Sequence, residues 1–381
     1  MLRSIYFDYN ATTPLDPAVR ADMQPFLDEI WGNPSSVHHI GRKARALLDE
    51  ARDRAAAFLG AKPSEIVFTS GGTEANNLAI FGSARRLKTK GKHLITSAVE
   101  HHAVLQCVDH LEKQEGFSVT RLPVDTDGRL DVANLEAAIR SDTILVSVMA
   151  ANNEIGTLQP VAQAGALCRE RKILFHTDAV QWFGKEPFDQ IQQFNADLVS
   201  VCGHKFHGPK GAGLLYLKSP LHPEPVLFGG AHENERRAGT ENLPAIIGLV
   251  SALERFVKFP VFARAKLKPL KDKLSACISN IPGCEVVSPA EDALPNTVAF
   301  TVRGSDGIAL LAALDLEGIC ASSGSACSAG SLEPSHVVLA TGRKESANAL
   351  VRFSLGRGST EAEVDFVCAV LPGVIRRAQR C

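Results

Sequence analysis

Apolar positions along the chain follow two periods in alternation. Compact apolar runs that suit strands occupy Glu65–Thr69, His93–Ser97, Ser118–Leu122, Thr143–Val148, Ile173–Thr177, Leu198–Val201 and Leu214–Leu217. Between them apolar residues recur every three or four positions, after Thr73, His101, Val132 and Val161. Helical spacing is clearest from Ala44 through Leu48, Ala51 and Ala55 to Leu59, where Gly60 can adopt the left-handed conformation that caps a helix. An opening strand, Ser4–Asp8, is stopped by Asn10-Ala11-Thr12-Thr13-Pro14, and the stretch from Gly32 to Ser36 reads as a loop. Strands alternating with helices predict an α/β fold, a mostly parallel sheet flanked by helices on both faces. Near Phe259-Pro260 the pattern changes. A lysine-rich helix over Ala263–Ser279 leads to strands at Glu285–Ser288, Thr297–Val302, Cys320-Ala321 and Leu350–Ser354, with a helix from Ser305. That succession predicts a second, smaller α+β domain.

Composition narrows the class without naming a function. With 381 residues the chain exceeds one ordinary domain, and 45% hydrophobic against 22% charged residues is enough to bury a large core. A net charge of −1 gives no electrostatic case for nucleic acid or an anionic membrane. The first residues reach Asp8 too soon to hold a signal-peptide apolar region, and Ala245–Leu253 is too short to span a bilayer. Nine cysteines, an odd number scattered through a long chain, suit reduced thiols in a cytoplasmic protein, most of them packed as small hydrophobes.

Polar groups collect where strands end. The run from Asp197 to Val201 leads into Cys202-Gly203-His204-Lys205, and the run Ile173–Phe175 leads to Asp178 with Gln181 three residues on. A strand-end lysine beside a buried carboxylate suits pyridoxal phosphate: the amine forms a Schiff base and the carboxylate keeps the ring nitrogen protonated. Taken singly, these residues read equally well as a surface lysine and a capping aspartate. Ser70-Gly71-Gly72-Thr73 follows a strand and opens a helix, a place where free amides bind phosphate, although a plain turn capped by Thr73 has the same sequence. His101 follows another strand end, where an imidazole can stack on a planar ring and move protons. Asn152, also after a strand, can bond a ring hydroxyl or a carboxylate, and Arg352, among apolar neighbours, can hold a carboxylate through two hydrogen bonds. Cys202, His204 and His207 do not make a metal site, because Lys205 lies among them. The segment Ala321 to Ser331 contains only small residues around Cys327, which suits a reactive thiol that travels; the alternative is a linker with an incidental cysteine.

On these motifs, above all Gly203-His204-Lys205 with Gly208-Pro209-Lys210-Gly211 and Ser322-Ser323-Gly324-Ser325-Ala326-Cys327, the chain resembles the cysteine desulfurases of fold-type I pyridoxal-phosphate enzymes. The likeness runs from Tyr6-Phe7-Asp8 to Arg352-Phe353-Ser354 and is greatest to the nitrogen-fixation and iron–sulfur-cluster-assembly class. It implies a large cofactor-binding domain over 13–257, and a small domain from 1–12 and 258–381 that carries the cysteine loop at 321–335. It implies that Lys205 bonds the cofactor and serves as acid and base, Asp178 pairs with the ring nitrogen, Gln181 bonds the ring hydroxyl, and His101 stacks and shuttles protons. Gly72, Thr73 and His204 would hold the phosphate with Thr240 from the second subunit of a homodimer, Asn152 and Arg352 would place cofactor and substrate, and Cys327 would take sulfur from L-cysteine as a persulfide. A sulfur-acceptor protein is the implied partner, an iron–sulfur scaffold or a tRNA-thiolation protein. A selenocysteine lyase, another fold-type I enzyme such as an aminotransferase, or a non-catalytic persulfide carrier are the competing expectations. Two positions depart from the pattern: Cys202 stands where relatives carry a phosphate-binding serine, and Gly229-Gly230-Ala231-His232-Glu233 differs from their Gly-Gly-Gly-Gln-Glu. The chain also stops at Cys381 without the extension by which longer relatives engage a scaffold.

Overall fold

The computed structural model describes residues 4–324 and 334–379. Its centre is a seven-stranded sheet of β2 (Ile66–Thr69), β3 (His93–Ser97), β4 (Ser118–Leu122), β5 (Thr143–Ser147), β6 (Leu174–Asp178), β7 (Leu198–Cys202) and β8 (Gly213–Leu217). The spatial order is β2-β8-β7-β6-β5-β3-β4, with β8 antiparallel to both its neighbours and β3 to β7 running parallel. Strands β5 and β7 are buried on both faces, as a sheet covered by helices on each side must be. Val199 and Val201 enter the core under α2 (His39–Leu59) and α7 (Leu243–Phe256), while Leu198 and Leu215 enter the core under α3 (Gly72–Leu87).

The strands expected from the sequence are present, with ends moved by a residue or two. Glu65 belongs to a short 3-10 turn, and β6 extends to include Asp178. Four helices have no counterpart in the sequence expectations: α1 (Pro17–Asp28), α7, α10 (His336–Ala340) and α11 (Glu361–Ala378). In α7 the first eight residues are all apolar and mostly buried, and polar side chains appear only in its last turns, so little marks its period. The remaining helices are α4 (His102–Glu115), α5 (Val132–Ala138), α6 (Val161–Glu170), α8 (Arg264–Ser279) and α9 (Gly307–Leu316). Among the described residues no helix is long and apolar enough to cross a membrane.

A second core gathers around an antiparallel sheet of β9 (Cys284–Val286), β10 (Thr297–Val302) and β12 (Leu350–Ser354). Phe300 and Phe353 pack there with Phe7, which follows β1 (Ile5–Tyr6), a strand paired in parallel with β11 (Ile319–Cys320). The chain's beginning thus lies among residues from its last quarter. The cysteines are more varied than expected. Cys107, Cys168 and Cys202 are buried, but Cys277, Cys284, Cys320 and Cys368 are partly exposed, and all seven are free thiols.

Candidate active site

A cleft of about 800 Å³, open to solvent, lies at the C-terminal ends of the parallel strands. It is lined by Gly72, Thr73, His101, Asp178, Gln181, Cys202, His204, Lys205 and Arg352, together with Asn10, Ala11 and Asn153. Nine of the sequence-selected residues therefore meet in one place, as the ligand rule for open α/β sheets leads one to expect.

Asp178 ends β6 with 6% exposure, one oxygen accepting the Val180 amide at 2.9 Å and the other the Asn76 side-chain amide at 2.7 Å. Two donors hold the carboxylate plane while it faces the cleft. Lys205 donates from Nζ to the Asn10 and Ala11 carbonyls at 2.8 and 2.9 Å. The amine is therefore held by two backbone acceptors from the N-terminal segment, which is itself fastened by the Thr13 amide and hydroxyl donating to the His204 carbonyl. His101 caps α4, its Nδ1 accepting the Ala103 amide at 3.0 Å. Burial depresses its basicity, Asp178 opposes that, and the positive charge of Lys205 adds to it, so the ring is held neutral below the usual histidine range.

The turn before α3 is shaped for an anion. Gly71 adopts φ 154°, and a Cβ on Gly72 would stand 2.7 Å from Val180 Cγ2, so the backbone comes as close as it does only because it is bare. The helix behind it is long enough to place its free amides and dipole at this point. Cys202 is buried beside these amides. Burial raises its thiol, and the Gly72 and His204 amides, directed at the sulfur, pull it the other way. His204 is held neutral, at about 3, chiefly by burial and then by Lys205, with Nδ1 3.1 Å from the Thr12 hydroxyl.

Of the expected residues, one is placed differently, and two are not among the described residues that meet in this cleft. Asn152 does not line the cleft: its Nδ2 donates to the Val99 carbonyl at 2.9 Å, and its Oδ1 accepts the Glu154 and Ile155 amides, both at 2.9 Å. The side chain is used up in fixing the turn, and the next residue, Asn153, reaches the cleft instead. Thr240 lines a separate depression with Ser70, Glu233 and Arg237, behind the anion turn. Cys327 lies outside the described residues. The described residues before and after that stretch both touch Glu154, Gly324 by close approach and Ser335 by a 2.6 Å hydrogen bond.

Arg352 is almost fully buried on β12, with Nη2 2.8 Å from Asp8 and Nη1 donating to the carbonyls of Asn153 (2.8 Å) and Gly324. Asn10, Asp8 and Asn76 were not picked out by the sequence reading. Asn76 had a legible signal, since four residues after Gly72 it lies on the same face of α3. Asn10 had none, because its partners are distant in the chain. Gln181 donates to the Asn10 carbonyl at 3.0 Å, and Lys185 donates to Gln181 Oε1 behind it. A cleft with a nucleophilic amine, a fixed carboxylate, a neutral imidazole and an amide-lined anion site suits a phosphorylated heteroaromatic aldehyde and chemistry at the carbon next to an amino acid's carboxylate.

The Aminotransferase class-V family model matches residues 5–367, and the chain belongs to that family. Among its relatives are proteins called cysteine desulfurase IscS. One from Dictyoglomus turgidum is 46% identical over 99% of this chain and 96% of its own length, and one from Methanosarcina thermophila is 46% identical over 98% and 93%. Solved structures agree in fold. A NifS-like protein superposes with a TM-score of 0.91 at 36% identity, covering 98% of this chain and all of that one. A structure described as SspA in complex with cysteine gives 0.81 at 37% identity, over 94% of this chain and 100% of that chain.

Proposed function

We propose that this chain is a pyridoxal-phosphate-dependent cysteine desulfurase, converting L-cysteine to L-alanine and receiving the sulfur on Cys327 as a persulfide. The observation that carries the reading is the meeting of Lys205, Asp178, His101 and the Gly72 turn in one cleft, in a chain nearly half identical to proteins called desulfurases along its whole length. The residues fit the cofactor: a fixed carboxylate, an amide-lined anion site and an amine line the same cleft at the strand ends.

Bound there, pyridoxal phosphate supplies an electron sink for charge left on the substrate Cα. Asp178, steadied by Asn76 and the Val180 amide, holds a proton on the ring nitrogen. Lys205, resting on the Asn10 and Ala11 carbonyls, takes the Cα proton. His101, its basicity lowered by burial, would stack on the ring and exchange protons with the substrate thiol. Arg352 binds the substrate carboxylate, with Asp8 and Asn153 keeping its plane oriented. The Cys327 thiolate attacks the substrate sulfur, so that an S–S bond forms as the Cβ–S bond breaks; Cβ gains a proton and Lys205 returns one to Cα, giving alanine. Cys327 follows Gly324 by three residues, a chain reach of at most about 11 Å from a carbonyl held by the cleft's own Arg352.

The reading extends to a homodimer whose second copy brings Thr240 to the phosphate, to a large body over 13–257 with residues 1–12 and 258–381 forming the smaller one, and to delivery of the persulfide to an iron–sulfur scaffold or tRNA-thiolation protein. Free thiols at all seven described cysteines suit the cytoplasm. The test is purified protein with pyridoxal phosphate, L-cysteine and a thiol reductant, following the visible spectrum, alanine and sulfide together. Alanine and sulfide in equal amounts are expected, and Cys327→Ala is expected to keep the spectrum and lose both products. Unchanged alanine production by that variant would sink the role given to Cys327. Selenide release from selenocysteine without sulfide release from cysteine would favour the lyase, and a spectrum without turnover of either would favour a carrier.

A further inference from the structure

Behind the cleft lies an amine that the proposed chemistry leaves unused. Lys185, in the turn after β6, is 1% exposed, and among the described residues no carboxylate pairs with it. Its Nζ donates to Asn10 Oδ1 at 3.0 Å and to Gln181 Oε1, and lies 5.4 Å from the centre of the Phe262 ring. Burial first, and then the nearby charges of Lys205 and Arg352, hold this amine well below the ordinary lysine range. Burying such a group costs free energy unless its contacts return it, so the contacts are informative.

Both partners are side-chain amides, whose oxygen and nitrogen ends have nearly the same shape. A lysine presents donors to both, which forces each oxygen inward and each NH2 outward. The outward Gln181 Nε2 then donates to the Asn10 carbonyl at 3.0 Å. The outward Asn10 Nδ2 donates to Thr297 Oγ1 at 2.8 Å and to the Asn153 carbonyl at 3.3 Å, while Asn296 Nδ2 joins Lys185 on Asn10 Oδ1 at 3.1 Å. With its own amide on Ser354 Oγ at 2.9 Å, Asn10 is held at every polar group, and its carbonyl receives Lys205 Nζ at 2.8 Å.

We propose that Lys185 is a positioning residue for Lys205: by orienting the Gln181 and Asn10 amides, it fixes the carbonyl against which the Lys205 amine is aligned. The proposal rests on the reading of Lys205 as the cofactor-bonded base, and it gives the enzyme a second lysine that touches neither substrate nor cofactor. The experiment compares parent holoenzyme with Lys185→Met, one bond shorter and without donors, and Lys185→Gln, equally short but still an N–H donor. The visible absorbance of the bound cofactor is titrated against pH, kcat and KM for L-cysteine are measured, and the melting of the apoproteins is recorded. In Lys185→Met the titration midpoint should move by about half a pH unit or more, and kcat should fall about tenfold with KM within about twofold. Lys185→Gln should fall between Lys185→Met and the parent in both readouts. A Lys185→Met protein that titrates and turns over like the parent overturns the inference. Should that variant not fold, Lys185→Gln decides: a parental midpoint overturns the inference, and a displaced midpoint with KM retained supports it. If the parent itself takes up no cofactor absorbing in the visible, the reading of Lys205 fails and this inference with it.

Discussion

Cys202 sets what a single atom can offer at the anion turn. Its thiol occupies a place flanked by the Gly72 and His204 amides, where a hydroxyl would be a far better donor to phosphate. One ordinary hydrogen bond is worth about 0.5–1.5 kcal/mol, so Cys202→Ser is expected to bind pyridoxal phosphate roughly three- to tenfold more tightly by equilibrium dialysis; equal affinity would refute the idea. His101 makes a separate prediction. Its folded-state basicity is depressed by burial, so the neutral ring persists as pH falls below the usual histidine value. The acid limb of kcat/KM should therefore lie below pH ~6.5, and His101→Gln should lower kcat about 100-fold while retaining the cofactor spectrum. Lys205, Asp178, Gln181 and His101 were legible because each ends a periodic run at a strand terminus. Asn10, Asp8 and Lys185 were not, because each acts through a partner more than 150 residues away. Asn152 was misjudged for a reason of geometry: of two adjacent asparagines, the first turned inward to satisfy backbone amides.

Elements matter through how closely they approach. The first turn of α3 contacts Val180 so closely that Gly72→Ala must displace one of them, an overpacking that typically costs 1–3 kcal/mol. It is expected to weaken cofactor binding by about tenfold or more on that scale, and retention equal to the parent on gel filtration would contradict the arrangement. The segment between β3 and α4 carries Glu100, fully buried, with Oε1 accepting the Ser97 hydroxyl at 2.6 Å and the Met149 amide at 2.9 Å. Burial raises its carboxyl to about 8 from 4.5. With the folded-state value above the unfolded one, its contribution is fully present below pH ~4.5 and is lost as pH rises through about 8. Glu100→Gln, neutral at every pH, should lose less melting temperature than the parent between those limits, and parallel curves would show the carboxylate to be ionised throughout. The strand-and-helix alternation was readable because β strands and amphipathic helices keep distinct periods. Apolar over its first eight residues, α7 had a polar stripe only in its last turns to announce it.

At the scale of the whole molecule, Trp31 at 70% and Phe228 at 84% exposure are large apolar side chains left open to water in one copy of the chain. If the proposed homodimer forms there, the parent is expected to elute as a dimer and Trp31→Lys with Phe228→Lys as a monomer; an unchanged elution volume would place the contact elsewhere. The positions of β1 and Asn10 have a consequence for how the chain is made. Ile5 pairs with Ile319, Asp8 with Arg352 and Asn10 with Ser354, so the first dozen residues emerge from the ribosome long before their partners exist. The anion turn and its sheet can fold during synthesis, yet the Ser354 contact on Asn10 and the Arg352 contact on Asp8 form only when the chain is nearly complete. A prematurely terminated product ending before β12 would hold Lys205, Asp178 and the Gly72 turn, and lack Arg352 and the Ser354 hydroxyl that fastens Asn10. In this protein, the arginine placed for the substrate carboxylate arrives last, with the return of the chain to its own beginning.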